Sequence, residues 1–136
     1  MRELIFLMMG VAGAFIAAML GGFDVPLKAL IIFIVMDYIT GLLVALIFKK
    51  SPKTESGALS SMVFTRGIIK KLMLLIYVAA GLQLDYVLGT DFIRNGVIIA
   101  FIASELISVT ENAGLMGVPM PAPLRKAIDV LQKKGS

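Results

Sequence analysis

Acidic side chains occur inside long apolar stretches of this sequence, where a carboxylate is costly. Asp37 lies in the stretch VMDYITGLLVAL, ten residues into an apolar run that begins at Leu27. At 1.5 Å per helical residue this depth is about 15 Å, near the middle of a bilayer. A charge there costs roughly 2.5–3.5 kcal/mol. Two roles suit such a side chain: bonding to a neighbouring helix, or contact with water in a pore.

The segment SELISVTEN makes the fourth apolar run the most polar one. Glu105, Ser108 and Asn112 share one helical stripe, and Glu111 lies on an overlapping stripe. Since no lysine or arginine is predicted at the depth of Asp37 and Glu105, we expect one carboxyl to stay protonated or both to meet water.

Basic side chains near the ends of the runs are candidate partners for these acids. Lys70 and Lys71 enter the third run on the side where the fourth run ends. Either Lys71 pairs with Glu111, or both lysines extend to the lipid headgroups. On the opposite side, an Asp85–Arg94 pair is expected to join the third run to the fourth.

Small residues at helical spacing predict close contacts between helices. Thr40 and Gly41 share the face of Asp37, which we interpret as a helix–helix contact with a polar centre. The first run carries two rows of small residues at four-residue spacing: Gly10, Ala14 and Ala18, and Gly13, Ala17 and Gly21. Two such faces favour self-assembly, with packing inside one chain as the alternative.

The composition points to a bilayer as the solvent and away from enzymatic chemistry. Of the 136 residues, 59% are hydrophobic and 16% are charged, whereas soluble domains carry about 25% charged residues. The mean hydropathy is +0.96. Cysteine and histidine are absent, which excludes disulfides, thiolate or imidazole metal sites and histidine-dependent catalytic triads. We predict no catalytic residue, cofactor or metal.

Four apolar runs are each long enough to cross a bilayer as a helix. We predict an all-α membrane protein with four transmembrane helices and a short C-terminal amphipathic helix. The transmembrane domain covers residues 1–118, with a polar loop at 49–66 and spans at 4–22, 27–48, 67–89 and 92–118. We expect the first run to be a retained span rather than a cleaved signal peptide, because it is long for one.

Residues 119–136 are predicted to form a cytoplasmic proline-rich turn and an amphipathic helix. The helix could lie on the membrane surface, pack on a neighbour, or remain a solvated tail. Eleven of the 13 lysines and arginines lie on one side of the four spans, together with both termini. This asymmetry predicts cytoplasmic termini, and basic residues at the ends of apolar runs suit lipid headgroups better than nucleic acid.

The chain resembles the toxin-secretion/phage-lysis holin family, which includes clostridial holin-like toxin-export proteins. The resemblance covers roughly residues 27–134 and is carried by MDYITGLLVAL, LSSMVFTRGIIKKL, LDYVLG and ASELISVTENAGLMGVPMPAPLRKAI, in that order. It implies a non-enzymatic homo-oligomer of the bacterial inner membrane. Such proteins form lesions that release a cell-wall hydrolase (an endolysin) or a toxin.

Two other functions remain open at the level of sequence. A small four-helix transporter would also have a carboxylate in the membrane, but this first span has no acid at mid-depth and the chain lacks tryptophan. The chain could also be a structural subunit of a larger membrane complex, with its C-terminal helix as the docking element.

Overall fold

Apolar runs separated by glycine, proline and polar residues fold into helices throughout the chain. The structure is a computed structural model and describes residues 1–135. The helices are α1 (Arg2–Met19), α2 (Val25–Leu43), α3 (Ser61–Leu88), α4 (Ile93–Leu115) and α5 (Ala122–Gly135). Within residues 1–135 there is no strand, and α1 to α4 are long and apolar enough to cross a membrane. The predicted all-α membrane fold is confirmed, and Ser136 lies outside the described residues.

Local chemistry fixes where α2 begins and ends. The Asp24 carboxylate accepts a hydrogen bond from the Leu27 amide (3.2 Å), and Pro26 lies in the first turn, where its missing N–H costs nothing. At its other end α2 continues as a π-helical turn, Val44–Phe48, and stops at Lys49 in the left-handed conformation. The continuous helical segment is therefore long enough to cross a bilayer.

Helix α3 begins six residues earlier than the predicted span, at Ser61 instead of Gly67. Polar residues there resemble a loop, but this stretch contains neither glycine nor proline to stop a helix. The Thr65 hydroxyl also donates to the Ser61 carbonyl (3.0 Å), so it needs no outside partner. The loop is correspondingly shorter and folds back on itself, with the Ser51 amide bonded to the Gly57 carbonyl (2.9 Å).

Helix α4 lies at the centre and contacts α2, α3 and α5. A buried apolar cluster joins the spans: Leu20, Leu27, Leu30, Val78, Ile98 and Ile102. Outside it, large apolar side chains are exposed on α1, α2 and α3, for example Phe6 and Val87. Such surfaces require lipid or protein around them, which fits a multi-pass membrane protein.

Packing within the chain differs sharply between the apolar helix α1 and the amphipathic helix α5. Among residues 2–19, apolar as they are, none is buried within the chain. The amphipathic α5, in contrast, packs along α4, with Ile128 only 6% exposed. Of the arrangements left open by the sequence, the structure has α5 packed on a neighbouring helix.

Candidate functional site

An ion cluster joins α2, α3 and α4 in the interior of the bundle. The Lys71 Nζ donates to Asp37 Oδ2 (2.5 Å) and to both carboxylate oxygens of Glu105 (2.7 and 2.6 Å). Both acidic side chains are 5% exposed and the Lys71 side chain is 21% exposed. Two carboxylates thus share one ammonium group. We call Asp37, Lys71 and Glu105 the charge cluster.

The three members of the charge cluster meet because they lie equally deep in their helices. Asp37 is 11 residues before the end of the π-helical turn, Lys71 is ten residues after the start of α3, and Glu105 is ten residues before the end of α4. Each distance is about 15 Å from the loop-side end. The expectation of no cation at this depth was wrong, since the early start of α3 carries Lys71 further into the span.

Asp37 has further partners on α4 that fix its orientation. The Asn112 amide donates to Asp37 Oδ1 (3.1 Å) and to the Thr40 hydroxyl (2.9 Å). Thr40 in turn donates to the Met36 carbonyl (2.9 Å). A Cβ added at Gly41 would lie 3.8 Å from the Asn112 amide nitrogen, an ordinary contact. The face that bears Asp37 therefore meets α4 through side chains.

A cavity of about 150 Å³ lies on the loop side of the charge cluster. Its lining includes Asp37 and Lys71, other polar residues of the bundle, and residues from the loop that follows α2; the polar bundle residues are Ser108, Glu111 and Asn112. The Tyr38 hydroxyl donates to the Phe64 carbonyl (2.5 Å) beside this cavity. The cavity is large enough for several water molecules, so the charge cluster has a polar approach from the loop side.

The Lys71–Glu111 pair was wrong, and so was the alternative in which both lysines extend to the lipid headgroups. Lys71 turns inward to Asp37 and Glu105, while Glu111 is exposed at the cavity lining. Lys70, next in sequence, points outward and is exposed. Consecutive helical residues project about 100° apart, so one of two adjacent lysines can turn into the bundle while the other stays on its outer surface.

A second polar cluster lies at the opposite end of the bundle. Arg94 donates to both carboxylate oxygens of Asp24 (2.7 and 3.0 Å) and to the Leu20 and Gly22 carbonyls (2.6 and 3.2 Å). Its side chain is 7% exposed, whereas that of Asp24 is 44% exposed. The Arg94 guanidinium lowers the pKa of Asp24. Arg94 thereby ties the turn between α1 and α2 to α4.

Asp85 completes this end of the bundle by capping α4. Its carboxylate accepts from the Thr90 hydroxyl (2.6 Å) and from the backbone amides of Ile93 and Arg94 (2.9 Å each). The predicted Asp85–Arg94 side-chain pair was wrong, because Asp85 bonds the Arg94 backbone while the guanidinium reaches Asp24. Unsatisfied amides at a helix start favour such a carboxylate. We call Asp24, Asp85 and Arg94 the turn cluster.

The small-residue rows of the first run make almost no contact within the chain. A Cβ added at Gly10 or Gly13 would meet nothing within 4 Å, and Ala14 and Ala18 are exposed while Ala17 is partly covered. Gly21 differs, since its added Cβ would lie 2.6 Å from Arg94 Nε. Packing of these rows inside one chain is therefore not what the structure contains, and their part in self-assembly stays a prediction.

Sequence reasoning missed the Arg94–Asp24 contact and the role of Tyr38. A signal for the first was available: Asp24 stands two residues before Pro26, a helix-start pattern, and faces the same side of the membrane as Arg94. Tyr38 carried no comparable signal. Within residues 1–135 no group of three or more His, Cys, Asp or Glu side chains could hold a metal ion.

Comparison with known proteins gives the family. The profile of the bacteriophage holin family matches residues 14–133. The chain belongs to the bacteriophage holin family. The family suspected from the motifs is therefore confirmed, and the matched region contains the charge cluster, the turn cluster and nearly all of α5.

Relatives of this holin-family chain include uncharacterized proteins from several bacteria. A protein of Listeria monocytogenes is 39% identical over 123 residues, which is 90% of this chain and 82% of the relative. A 14.9 kDa protein from the nagH 3' region of Clostridium perfringens is 34% identical, over 84% of this chain and 82% of its own length. One from Halalkalibacterium halodurans is 33% identical, over 90% and 89%. No solved structure matches.

Proposed function

We propose that this holin-family membrane protein oligomerises in the bacterial cytoplasmic membrane and opens lesions there. Through these lesions a cell-wall hydrolase or a large protein cargo would cross. The observation that carries the proposal is the charge cluster, in which two buried carboxylates and one ammonium bridge three membrane-spanning helices. Family membership supports a holin role and a function without catalysis.

The side chains of the charge cluster can be stabilised in two different environments. In a single chain, Lys71 satisfies Asp37 and Glu105 internally, so that neither of these two carboxyl groups meets acyl chains. In an assembly whose spans have moved apart, the same groups can be hydrated by a water-filled opening. Lipid contact of the separated charges is costly, so the protein converts between a closed bundle and a polar-lined assembly without a stable intermediate. Abrupt opening follows from that lack of intermediates.

Helix α1 supplies a surface for contacts between copies. Its apolar side chains are exposed all round within the chain, and its small-residue rows permit close approach of a second helix. The distribution of lysine and arginine supports cytoplasmic N- and C-termini. With that orientation, the loop after α2 and the cavity beside the charge cluster face the cytoplasm.

Controlled expression in bacteria tests the proposal. Asp37→Asn and Glu105→Gln each leave one carboxylate for Lys71 and remove the surplus negative charge, so the closed bundle should be better balanced. We expect both variants to delay membrane depolarisation and dye release, and to delay lysis when a wall hydrolase is co-expressed. Glu55→Gln, which removes an exposed loop carboxylate, is the matched control and should keep wild-type timing.

Two outcomes of this experiment would contradict the proposal. If the wild-type chain never depolarises the membrane, lesion formation is wrong. If it does, but Asp37→Asn and Glu105→Gln behave like Glu55→Gln, the charge cluster does not set the timing.

A further inference from the structure

Helix α5 runs back along α4 from the loop-side end of the bundle toward its opposite end. Ile128 is buried against the bundle and Leu131 packs on the apolar cluster. At the end of α5, a Cβ added at Gly135 would lie 3.2 Å from the Ala100 Cβ. These contacts extend from Ile128 to Gly135, so the second half of α5 is docked along α4.

This docking carries polar residues of α5 to the depth of the hydrocarbon. Ala100 is seven residues after the start of the 23-residue α4, which places it about 10 Å from that end of a helix about 34 Å long. Lys134 precedes Gly135, so its backbone lies at a similar depth, inside the hydrocarbon. A lysine stem of four methylenes is too short to bring the ammonium to either headgroup layer from there.

The outward face of α5 is strongly polar along its length. It exposes four cationic side chains and one carboxylate: Arg125, Lys126, Lys133, Lys134 and Asp129. Asp129 and Lys134 lie too deep for headgroups, and charged groups at that depth do not face acyl chains. Water or another polar surface, and not acyl chains, must therefore cover this face whenever α5 is docked on α4 in a membrane.

We propose that α5 lines the aqueous lumen of the assembled lesion, with its apolar face on α4 and its polar face toward water. This inference rests on the proposed lesion-forming function and names the element that the permeating solutes meet. The connection from Met116 to Pro121 suits movement of α5 between the membrane surface and this docked position. Gly117 there has a φ of +86°, and Pro119 and Pro121 prevent the two helices from merging.

The excess of cationic side chains on the outward face makes the lumen favour anions. Purified full-length protein in planar bilayers, with a KCl gradient kept at about 10 mM so that the Debye length is about 30 Å and spans a wide lumen, gives the ion preference from the reversal potential. Lys126→Glu/Lys134→Glu leaves two cationic and three acidic side chains on the face. We expect the reversal potential to change sign, from anion-preferring to cation-preferring. Lys50→Glu, an exposed change outside α5, is the control and should keep the wild-type sign.

The outcomes separate this inference from the function on which it rests. If the wild-type protein produces no conductance, lesion formation itself is wrong and the lumen assignment falls with it. If it conducts but the α5 double variant keeps the wild-type reversal potential, lesions form without α5 in their lining.

A disulfide between α4 and α5 gives an independent test. The chain has no native cysteine, and the Ala100–Gly135 spacing is close to the usual Cβ separation of about 3.5–4.5 Å. Oxidised Ala100→Cys/Gly135→Cys should conduct as well as its reduced form, because docking is the conducting arrangement. The single variant Gly135→Cys, treated with the same oxidant, is the control. Loss of conductance on oxidation, with recovery on reduction, would show that α5 leaves α4 in order to conduct.

Discussion

The two polar clusters of this bundle satisfy their charges in different ways. In the turn cluster one guanidinium is surrounded by the Asp24 carboxylate and two backbone carbonyls, at the end of the bundle. In the charge cluster one flexible ammonium is shared by two carboxylates, about 15 Å inside the spans and next to a polar cavity. The first is a fixed join between chain segments, and the second places two carboxyl groups on one ammonium group.

The difference indicates which end can change. Arg94 forms bonds whose loss would leave backbone carbonyls without a partner, and a planar guanidinium cannot be replaced there by a point charge. The charge cluster contacts no backbone through Lys71, so water entering from the cavity could replace each of its bonds. We therefore expect the turn cluster to persist when spans separate on the loop side.

Removing the shared cation should have the largest effect on stability. Lys71→Met leaves two buried carboxylates without their cation, and breaking a buried pair in this way costs about 3–5 kcal/mol. We expect that loss in the free energy of unfolding, measured with SDS in detergent micelles. Lys70→Met removes the adjacent exposed lysine and should cost little. Equal losses for the two variants would mean that the charge cluster does not hold the bundle together.

A rescue experiment sharpens the contrast between the clusters. Adding Asp37→Asn and Glu105→Gln to Lys71→Met removes the uncompensated charges, so much of the lost stability should return. The matching pair at the other end, Arg94→Met with Asp24→Asn, should not recover, because the carbonyls of Leu20 and Gly22 still lack a donor. Recovery at both ends would mean that the two clusters hold the bundle together in the same way.

Alanine substitutions at Gly81 and Gly41 test the same difference between the two clusters, with a smaller expected effect. A Cβ at Gly81 would lie 3.1 Å from the Arg94 Cα, in the rigid backbone of the turn cluster, whereas a Cβ at Gly41 would lie 3.8 Å from a side-chain amide. Overpacking costs about 1–3 kcal/mol, so Gly81→Ala should lower the unfolding free energy by that order. Gly41→Ala should leave it nearly unchanged, and a larger loss there would indicate a tighter α2–α4 contact.

The sequence was sufficient to predict the helices but not the pairing of their charges. Length and hydropathy set the number of spans, because only helices of about 20 residues satisfy their backbone in lipid. Asp37, Lys71 and Glu105 could each be singled out as polar groups inside apolar runs. Their meeting depends on where α3 begins, and a six-residue difference there changes the depth of Lys71 by about 9 Å.

Two other differences between prediction and structure concern the partner of the Arg94 side chain and the packing of α5. Arg94 was expected to bond its neighbour across the short α3–α4 turn, but its long side chain extends to residues 70 and 74 positions earlier in the chain. The packing of α5 was also beyond the sequence pattern, since an amphipathic helix fits a membrane surface as well as a helix groove. Such choices depend on three-dimensional neighbours that periodicity does not specify.

The turn cluster should also respond weakly to acid, which is the smallest effect expected here. Arg94 lowers the pKa of Asp24 below its usual value of 3.8, so the folded chain holds this carboxylate ionised more firmly than the unfolded chain does. The resulting stability is present above pH 3.8 and is lost as the pH falls through the lower, folded-state pKa. Because Asp24 is 44% exposed, solvent screening keeps the contribution below about 1 kcal/mol. Unfolding in micelles between about pH 5 and pH 3 should therefore show a slightly larger loss for the wild-type chain than for Asp24→Asn, which keeps a helix-capping oxygen. Parallel pH profiles for the two proteins would mean that the Arg94–Asp24 bond adds no stability, and that the carbonyl bonds of Arg94 alone join α4 to the first turn.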